Sequence, residues 1–278
     1  MTSGPFDSDR TGPDTGLLIA GMRAGYGKRD VFAGLTLASL QAGQITAVLG
    51  PNGCGKSTLL KSVAGLMPLR GGNVVLDGQD LTDLAPAERS GLVAYMPQDL
   101  PAAVHLRVLE AVVAARRAGG SSRGGSEDAE FAQALLARLD IGHLALRHLD
   151  ELSGGQRQLA GLALALIREP RVLLLDEPSS ALDPRHQFEV IALLAHETRS
   201  RGLITLMAVH DLNIALRHTD RAVLLRAGTL AAEGSPAGVI RPDTLADVYG
   251  VQGRVARCER GWPYVMIDGV LDQSPDRD

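Results

Sequence analysis

The run Gly50-Pro51-Asn52-Gly53-Cys54-Gly55-Lys56-Ser57-Thr58 lies between a short apolar stretch, Ile45–Leu49, and a segment of helical character, Lys56–Ala64. Its residue types and spacing match the phosphate-binding pattern G-x-x-x-x-G-K-[ST]. Glycines let backbone N–H groups converge on phosphate oxygens with no Cβ in the way. A helix that begins at Lys56 turns the positive end of its dipole toward the same anion. In that arrangement Lys56 reaches the β- and γ-phosphates of a nucleotide and Ser57 ligates Mg2+. A bare glycine turn is the plainer reading, and the Lys-Ser pair between a strand and a helix weighs against it.

Two further stretches carry related chemistry. Leu173-Leu174-Leu175-Asp176-Glu177-Pro178 is an apolar strand that ends in two acids. Asp176 is suited to hold Mg2+, directly or through water, and Glu177 to polarise an attacking water as general base. Alone, such an acidic pair is usually a solvated loop. A phosphate loop in the same α/β body shifts the balance toward metal. Leu152-Ser153-Gly154-Gly155-Gln156 precedes a helical stretch through Ile167. By the same physics it forms a second phosphate-binding helix start, although as bare physics an N-cap and a loop is the favoured reading. With one phosphate loop already present, the second suggests that another subunit's nucleotide is clamped here.

Together with the first two elements, Leu152–Gln156 resembles the signature motif of the ATP-binding-cassette (ABC) ATPases, and it stands upstream of the acidic strand as in that family. The resemblance runs from about Leu17 to Tyr249. It implies an α/β P-loop NTPase fold: a RecA-like parallel-sheet core, an N-terminal antiparallel β subdomain and an inserted α-helical lobe. It implies ATP and Mg2+ as ligands, with ATP held by Gly50, Pro51, Asn52, Gly53, Cys54, Gly55, Lys56, Ser57 and Thr58. By the same resemblance, Tyr26 stacks on adenine. Gln98, in Tyr95-Met96-Pro97-Gln98, contacts Mg2+ and water and senses a membrane subunit. Asp183, in Ser180-Ala181-Leu182-Asp183, is the acid of a loop crossing a dimer interface. His210 touches the γ-phosphate. Ser153, Gly154, Gly155 and Gln156 of one copy close over the ATP of the other. The implied assembly is a homodimer, peripheral at the cytoplasmic face of the membrane, beneath integral-membrane permease subunits and served indirectly by an extracytoplasmic substrate-binding protein.

Val209-His210-Asp211-Leu212-Asn213 and Thr244–Gly250 resemble the importer ATPases for iron–siderophore, haem and cobalamin; relatives for zinc or manganese share part of the pattern. Two departures bear on cargo. Arg116-Arg117-Ala118-Gly119-Gly120 stands where that group carries a Gly-Arg-aromatic-Pro-His-like segment. Leu164 stands where many relatives have arginine. A soluble ABC ATPase acting on DNA or ribosomes, a non-ABC kinase or GTPase, and an exporter cassette are the competing readings.

The elements needed to position these residues are legible as alternation. Apolar runs at Ile45–Leu49, Leu92–Met96, Val172–Leu175, Leu203–Val209 and Ala222–Leu225 read as strands. Helical stretches at Lys56–Ala64, His186–Arg199 and Asp211–His218 separate several of them, which indicates a parallel sheet flanked by helices. Leu17–Met22 and Val31–Leu40 read as further strands, and Asp77-Gly78 as a hairpin turn. Leu106–Arg117 is compatible with a helix within a helical lobe over 99–160. Residues 1–15 read as a disordered tail, 16–250 as the ATPase domain and 251–278 as a C-terminal extension.

Composition bounds the function. Aromatics are 3% of the chain, so the core is built from Leu, Val, Ile and Ala. A net charge of −4 argues against a nucleic-acid binder that relies on a broad basic surface. The two cysteines, Cys54 and Cys258, are too few for a disulfide framework or a Cys-rich zinc site. No stretch approaches the run of about 20 apolar residues that crosses a bilayer. The N-terminus has no apolar segment of a secretory signal.

Overall fold

The computed structural model describes residues 15–98, 105–119 and 124–271. The expected tail therefore lies outside the described residues except for Thr15, as do residues 99–104 and 120–123 of the expected helical lobe and 272–278 of the extension.

A small antiparallel sheet opens the chain. It contains β1 (Leu17–Tyr26) and β2 (Arg29–Leu40). After β3 (Gln44–Leu49) and α1 (Lys56–Ala64) the chain returns to it with β4 (Gly71–Leu76) and β5 (Gln79–Asp80), giving the order β2-β1-β4-β5. One face is covered, so buried and open positions alternate along β1. The β4–β5 turn is made by Asp77 and Gly78, both with positive φ (49° and 84°), as a tight hairpin requires. β1 runs past Met22 to Tyr26. Arg23 and Gly25 break the apolar pattern there, but Arg23 pairs with Ala33 and Gly25 with Asp30.

Next comes α2 (Pro86–Leu92), which enters on Pro86 at its first turn. Its Arg89 is buried and donates to Ser62 O at 2.9 Å and Val63 O at 2.7 Å, at the end of α1. A cation there satisfies helix-terminal carbonyls and complements the dipole. Burial pushes the Arg89 pKa down, partly offset by Asp80.

The main sheet adds β6 (Val93–Met96). Three helices follow, α3 (Val108–Ala118), α4 (Gly125–Arg138) and α5 (Gly154–Leu166). α3 begins later than the sequence suggests because Leu106 gives its carbonyl to Leu149 N, and Arg107 bridges to His148. The chain then alternates through β7 (Val172–Asp176), α6 (Pro184–Arg201), β8 (Ile204–Ala208), α7 (Leu212–His218), β9 (Arg221–Arg226) and β10 (Thr229–Gly234). The order is β10-β9-β3-β8-β7-β6, parallel throughout except for the β9–β10 hairpin. Every residue of β7 and β8 is buried, which is why these strands are unbroken apolar runs in the sequence.

A further hairpin, β11 (Val251–Arg257) and β12 (Pro263–Val270), lies in the segment read only as an extension. It packs on α7, where Val265 N donates to Asn213 Oδ1 at 2.7 Å. Arg254, Arg257 and Asp268 interrupt its apolar pattern and hide it from a sequence reading.

α3 and α4 are tied by charge as well as by apolar packing. Arg116 is 2% exposed and donates to the fully buried Asp128 at 3.1 Å. It also reaches Glu169 at 3.2 Å and lies 4.0 Å from the Phe131 ring centre. Breaking a buried pair from one side leaves the other charge undercompensated; with Arg117 still 3.5 Å from Asp128, the cost falls at the low end of about 3–5 kcal/mol. Arg116→Leu is therefore expected to lower unfolding stability by about that much in a urea titration. Adding Asp128→Leu is expected to restore part of the loss; a double variant that loses the sum of the two single effects would contradict the pairing.

Candidate functional site

Parallel strands place their C-terminal ends along one edge, and in open α/β sheets that edge is where ligands bind. Here β3 leads to Gly50, β8 leads to His210, β7 ends in Asp176 with Glu177 next, and β6 leads to Gln98. The order β3-β8-β7-β6 sets these four ends side by side.

The loop after β3 is shaped by packing as much as by any ligand. Gly50 has φ 140°, and a Cβ there would lie 2.4 Å from Leu225 O and 2.6 Å from Cys54 Sγ. Gly55 has φ 114°, and its Cβ would meet the Phe32 ring at 2.7 Å. At Gly53, φ is 77° and a Cβ would have nothing within 4 Å. α1 starts on Gly55 with no side-chain cap, so its first-turn N–H groups are available to an anion. Lys56 is buried, and its ammonium donates to Gly50 O at 2.8 Å and Pro51 O at 3.2 Å, which folds the loop around the charge. Ser57 is half-buried and Thr58 buried on the first turn of α1; Pro51 is half-buried and Asn52 exposed on the loop. Burial pushes the Cys54 thiol up, with Lys56 pulling the other way. Tyr26, at the end of β1, is 55% exposed.

Asp176 ends β7 almost fully buried. Its Oδ2 accepts from the Tyr95 hydroxyl at 3.1 Å, while Oδ1 is buried with no hydrogen-bond partner among the described residues. An orphaned carboxylate oxygen at the edge of a phosphate-binding loop suits a divalent cation. Burial and the neighbouring Asp176 push the Tyr95 phenol up, so it stays a donor. Among the described residues no cluster of three or more His, Cys, Asp or Glu could hold a metal. A cation here would therefore share its ligands with phosphate oxygens.

Glu177 occupies the left-handed region, φ 53°, which re-aims the chain as it leaves β7. Its Oε2 accepts from Gln98 Nε2 at 3.0 Å, and its Oε1 pairs with His210 Nε2. Side chains from the ends of β6, β7 and β8 thus form one hydrogen-bonded trio. The Glu177 carbonyl accepts from Gln158 Nε2 at 2.7 Å.

Ser153 caps α5. Its hydroxyl accepts from Gln156 N at 3.3 Å, and Gln156 Oε1 accepts from Ser153 N at 3.1 Å, a capping box. Gly154 and Gly155 pack against Ala181 and Leu182; a Cβ on Gly155 would lie 3.1 Å from Leu182 Cδ2. Asp183 caps α6 through His186 N at 3.1 Å, and its pairing with His186 holds its carboxyl below the usual range. Ser153–Gln156 and Ala181–Asp183 line a cavity of about 720 Å3, whose walls contain none of residues 50–58. The structure thus brings Lys56 and its loop to the sheet edge with Asp176, Glu177, Gln98 and His210. Ser153 to Gln156 and Asp183 form a separate surface.

Three contributors escape the motif reading. Tyr95 orients Asp176. Gln158 is a buried glutamine on the otherwise apolar face of α5, and that mismatch was the available signal. Tyr249 reaches the Gly50 backbone from the turn before β11, and burial pushes its phenol up to about 12.

Comparison with known proteins gives the family. A profile described as ABC transporter matches residues 36–180. The hemin import ATP-binding protein HmuV of Pseudomonas aeruginosa is 41% identical over 246 residues, 86% of this chain and 95% of that protein. The ferric enterobactin transport ATP-binding protein FepC of Escherichia coli is 36% identical over 230 residues, 82% of this chain and 84% of that one. The dimeric structure of a post-hydrolysis state of the ATP-binding cassette MJ0796 bound to ADP and Pi aligns with a TM-score of 0.71 at 25% identity, covering 79% of this chain and 98% of that one. Among the described residues no helix is long and apolar enough to cross a membrane. Sequence and fold place the motifs together in the same frame, and the chain belongs to the ABC transporter family as one of its ATP-binding, ATP-hydrolysing cassettes.

Proposed function

We propose that this cassette powers an importer of an iron chelate, haem or cobalamin, working as a homodimer on integral-membrane permease subunits at the cytoplasmic face of the membrane. The cargo class rests on the relatives named for hemin import and ferric enterobactin transport. The catalytic reading rests on one observation: Glu177 is held from both sides, by Gln98 and His210, beside a buried and unpaired Asp176 oxygen. Residues 16–250 would form the ATPase domain, with the helices of 99–160 as a lobe facing the permease and 251–278 as an extension.

In this reading the 50–58 loop and Lys56 hold the phosphates of ATP, and Tyr26 offers an exposed ring to the adenine. Ser57, Asp176 and Gln98 fit as holders of Mg2+, which when bound would neutralise charge on the phosphate oxygens. Glu177 takes a proton from water as the water oxygen bonds to the γ-phosphorus and the bond to ADP breaks. His210 keeps Glu177 in place and lies on the strand end nearest the phosphate loop. The Ser153–Gln156 helix start of a second copy closes over the nucleotide, and Asp183 faces that seam. ATP then stabilises the closed pair because it contacts both copies, and hydrolysis removes that differential affinity.

Glu177→Gln removes the base while keeping a side chain of the same shape. Steady-state hydrolysis is expected to fall about 10²- to 10⁴-fold. ATP binding should persist, and size-exclusion chromatography with light scattering should show a dimer in Mg-ATP. Hydrolysis at the parent rate would remove the base assignment. Cys54 gives a second check, since its thiol is buried in the phosphate loop and pushed upward. Maleimide labelling of Cys54 should be slow at neutral pH, should accelerate as pH rises past the ordinary thiol range, and should be suppressed by Mg-ATP; labelling indifferent to nucleotide would place ATP elsewhere.

A further inference from the structure

Gln158 is 5% exposed on α5, one turn after the Ser153–Gln156 helix start, and belongs to none of the motifs. Its amide makes three hydrogen bonds. Nε2 donates to Glu177 O at 2.7 Å and to Ser180 Oγ at 3.2 Å, and Oε1 accepts from Ala181 N at 3.2 Å. Donors and acceptors on opposite sides fix the orientation of the amide.

The other end of this contact is conformationally expensive. Glu177 is a non-glycine residue in the left-handed region, a conformation that persists only where the surroundings impose it. Its backbone N–H is tied to Ala208 O at 3.1 Å, and its carbonyl closes the following turn by accepting from Ser180 N at 3.3 Å. Gln158 makes the shortest hydrogen bond to that carbonyl. It is therefore a side-chain constraint, from a different helix, on the backbone conformation that aims the Glu177 carboxylate. The same side chain holds Ala181, whose Cβ lies 3.7 Å from the position a Cβ on Gly154 would take.

We propose that Gln158 is a positioning residue that couples displacement of α5 to the aim of Glu177 within one chain. This rests on Glu177 being the base and on the α5 start meeting the partner copy's nucleotide. A nucleotide that draws the start of α5 toward itself then shifts Gln158, and with it the turn 177–181. Engagement at one nucleotide thereby sets the competence of the base at the other.

The test uses full-length protein and compares Gln158→Leu, Gln158→Glu and Glu177→Gln. Gln158→Leu should lower kcat about 10- to 100-fold, the scale expected when a catalytic group is misplaced by about 1 Å. KM for Mg-ATP and Tm should stay near the parent values. In the Glu177→Gln background, adding Gln158→Leu should leave the ATP-driven dimer intact, which a general loosening of α5 would not. Gln158→Glu keeps the acceptor for Ala181 N and, once ionised at high pH, offers no donor to the Glu177 carbonyl, so it should lose kcat as well as pH rises, and it carries the test if the leucine variant does not fold. Parent kcat in both Gln158 variants beside an inactive Glu177→Gln overturns the coupling alone. So does a loss of kcat that comes only with a lower Tm and a lost dimer. Full activity in Glu177→Gln overturns the base reading, and the coupling with it.

Discussion

In the proposed reading a carboxylate stands beside the landing place of a polyanion, and that position falls to Glu177. Two unit charges 4 Å apart repel by about 4 kcal/mol at an effective dielectric of 20, so an unrestrained glutamate would swing away. Hydrogen bonds from Gln98 and His210 hold both carboxylate oxygens, and a left-handed backbone directs the side chain before those bonds form. Asp176, one residue earlier, meets the opposite condition. It is buried in the sheet with one oxygen satisfied by Tyr95 and the other without a hydrogen-bond partner among the described residues. Two adjacent acids acquire different environments because one ends the strand and the next leaves it.

The rest of the chain makes the sheet edge stiff enough for this to last. β8 separates the phosphate-loop strand from the acidic strand, so both are registered against one buried element. Gly50 and Gly55 sit where a Cβ would strike Leu225 and Phe32, so the loop is clamped to its neighbours before any ligand arrives. Arg89 secures the far end of α1, and Tyr249 reaches Gly50 from the C-terminal segment. An anion site made of backbone N–H groups depends on such clamping, because no side chain can readjust to correct a displaced loop.

This also explains what the sequence disclosed. The glycine loop, the acidic strand end and the Ser-Gly-Gly helix start are legible because each is a local solution to a local problem, set by adjacent residue types. The buried strands are legible because two-sided burial demands unbroken apolar runs, and α1 falls on Lys56–Ala64 as read. The far half of β1 is not, because its pairing with β2 and not its composition keeps Arg23–Tyr26 extended. The β11–β12 hairpin is obscured by surface charges on a two-stranded sheet with one covered face. Tyr95 is invisible for another reason: it acts on a residue far along the chain, and nothing near it in sequence announces it, while Gln158 shows only as a polar residue on an apolar helix face.

The trio and Gln158 divide control of one residue. Gln98 and His210 act on the Glu177 side chain from the ends of β6 and β8, and Gln158 acts on its backbone from α5. The chain leads from Gln98 through residues 99–104 toward α3, and α5 begins with the residues proposed to meet the partner's nucleotide. If those assignments hold, the base stands where a contact with the permease and a contact with the second nucleotide converge. Hydrolysis then waits on both, because misplacement by either route removes the same proton acceptor. The arrangement needs no long pathway: each input is one hydrogen bond away from Glu177, and the stiffness of the sheet edge keeps the two from being absorbed by the frame.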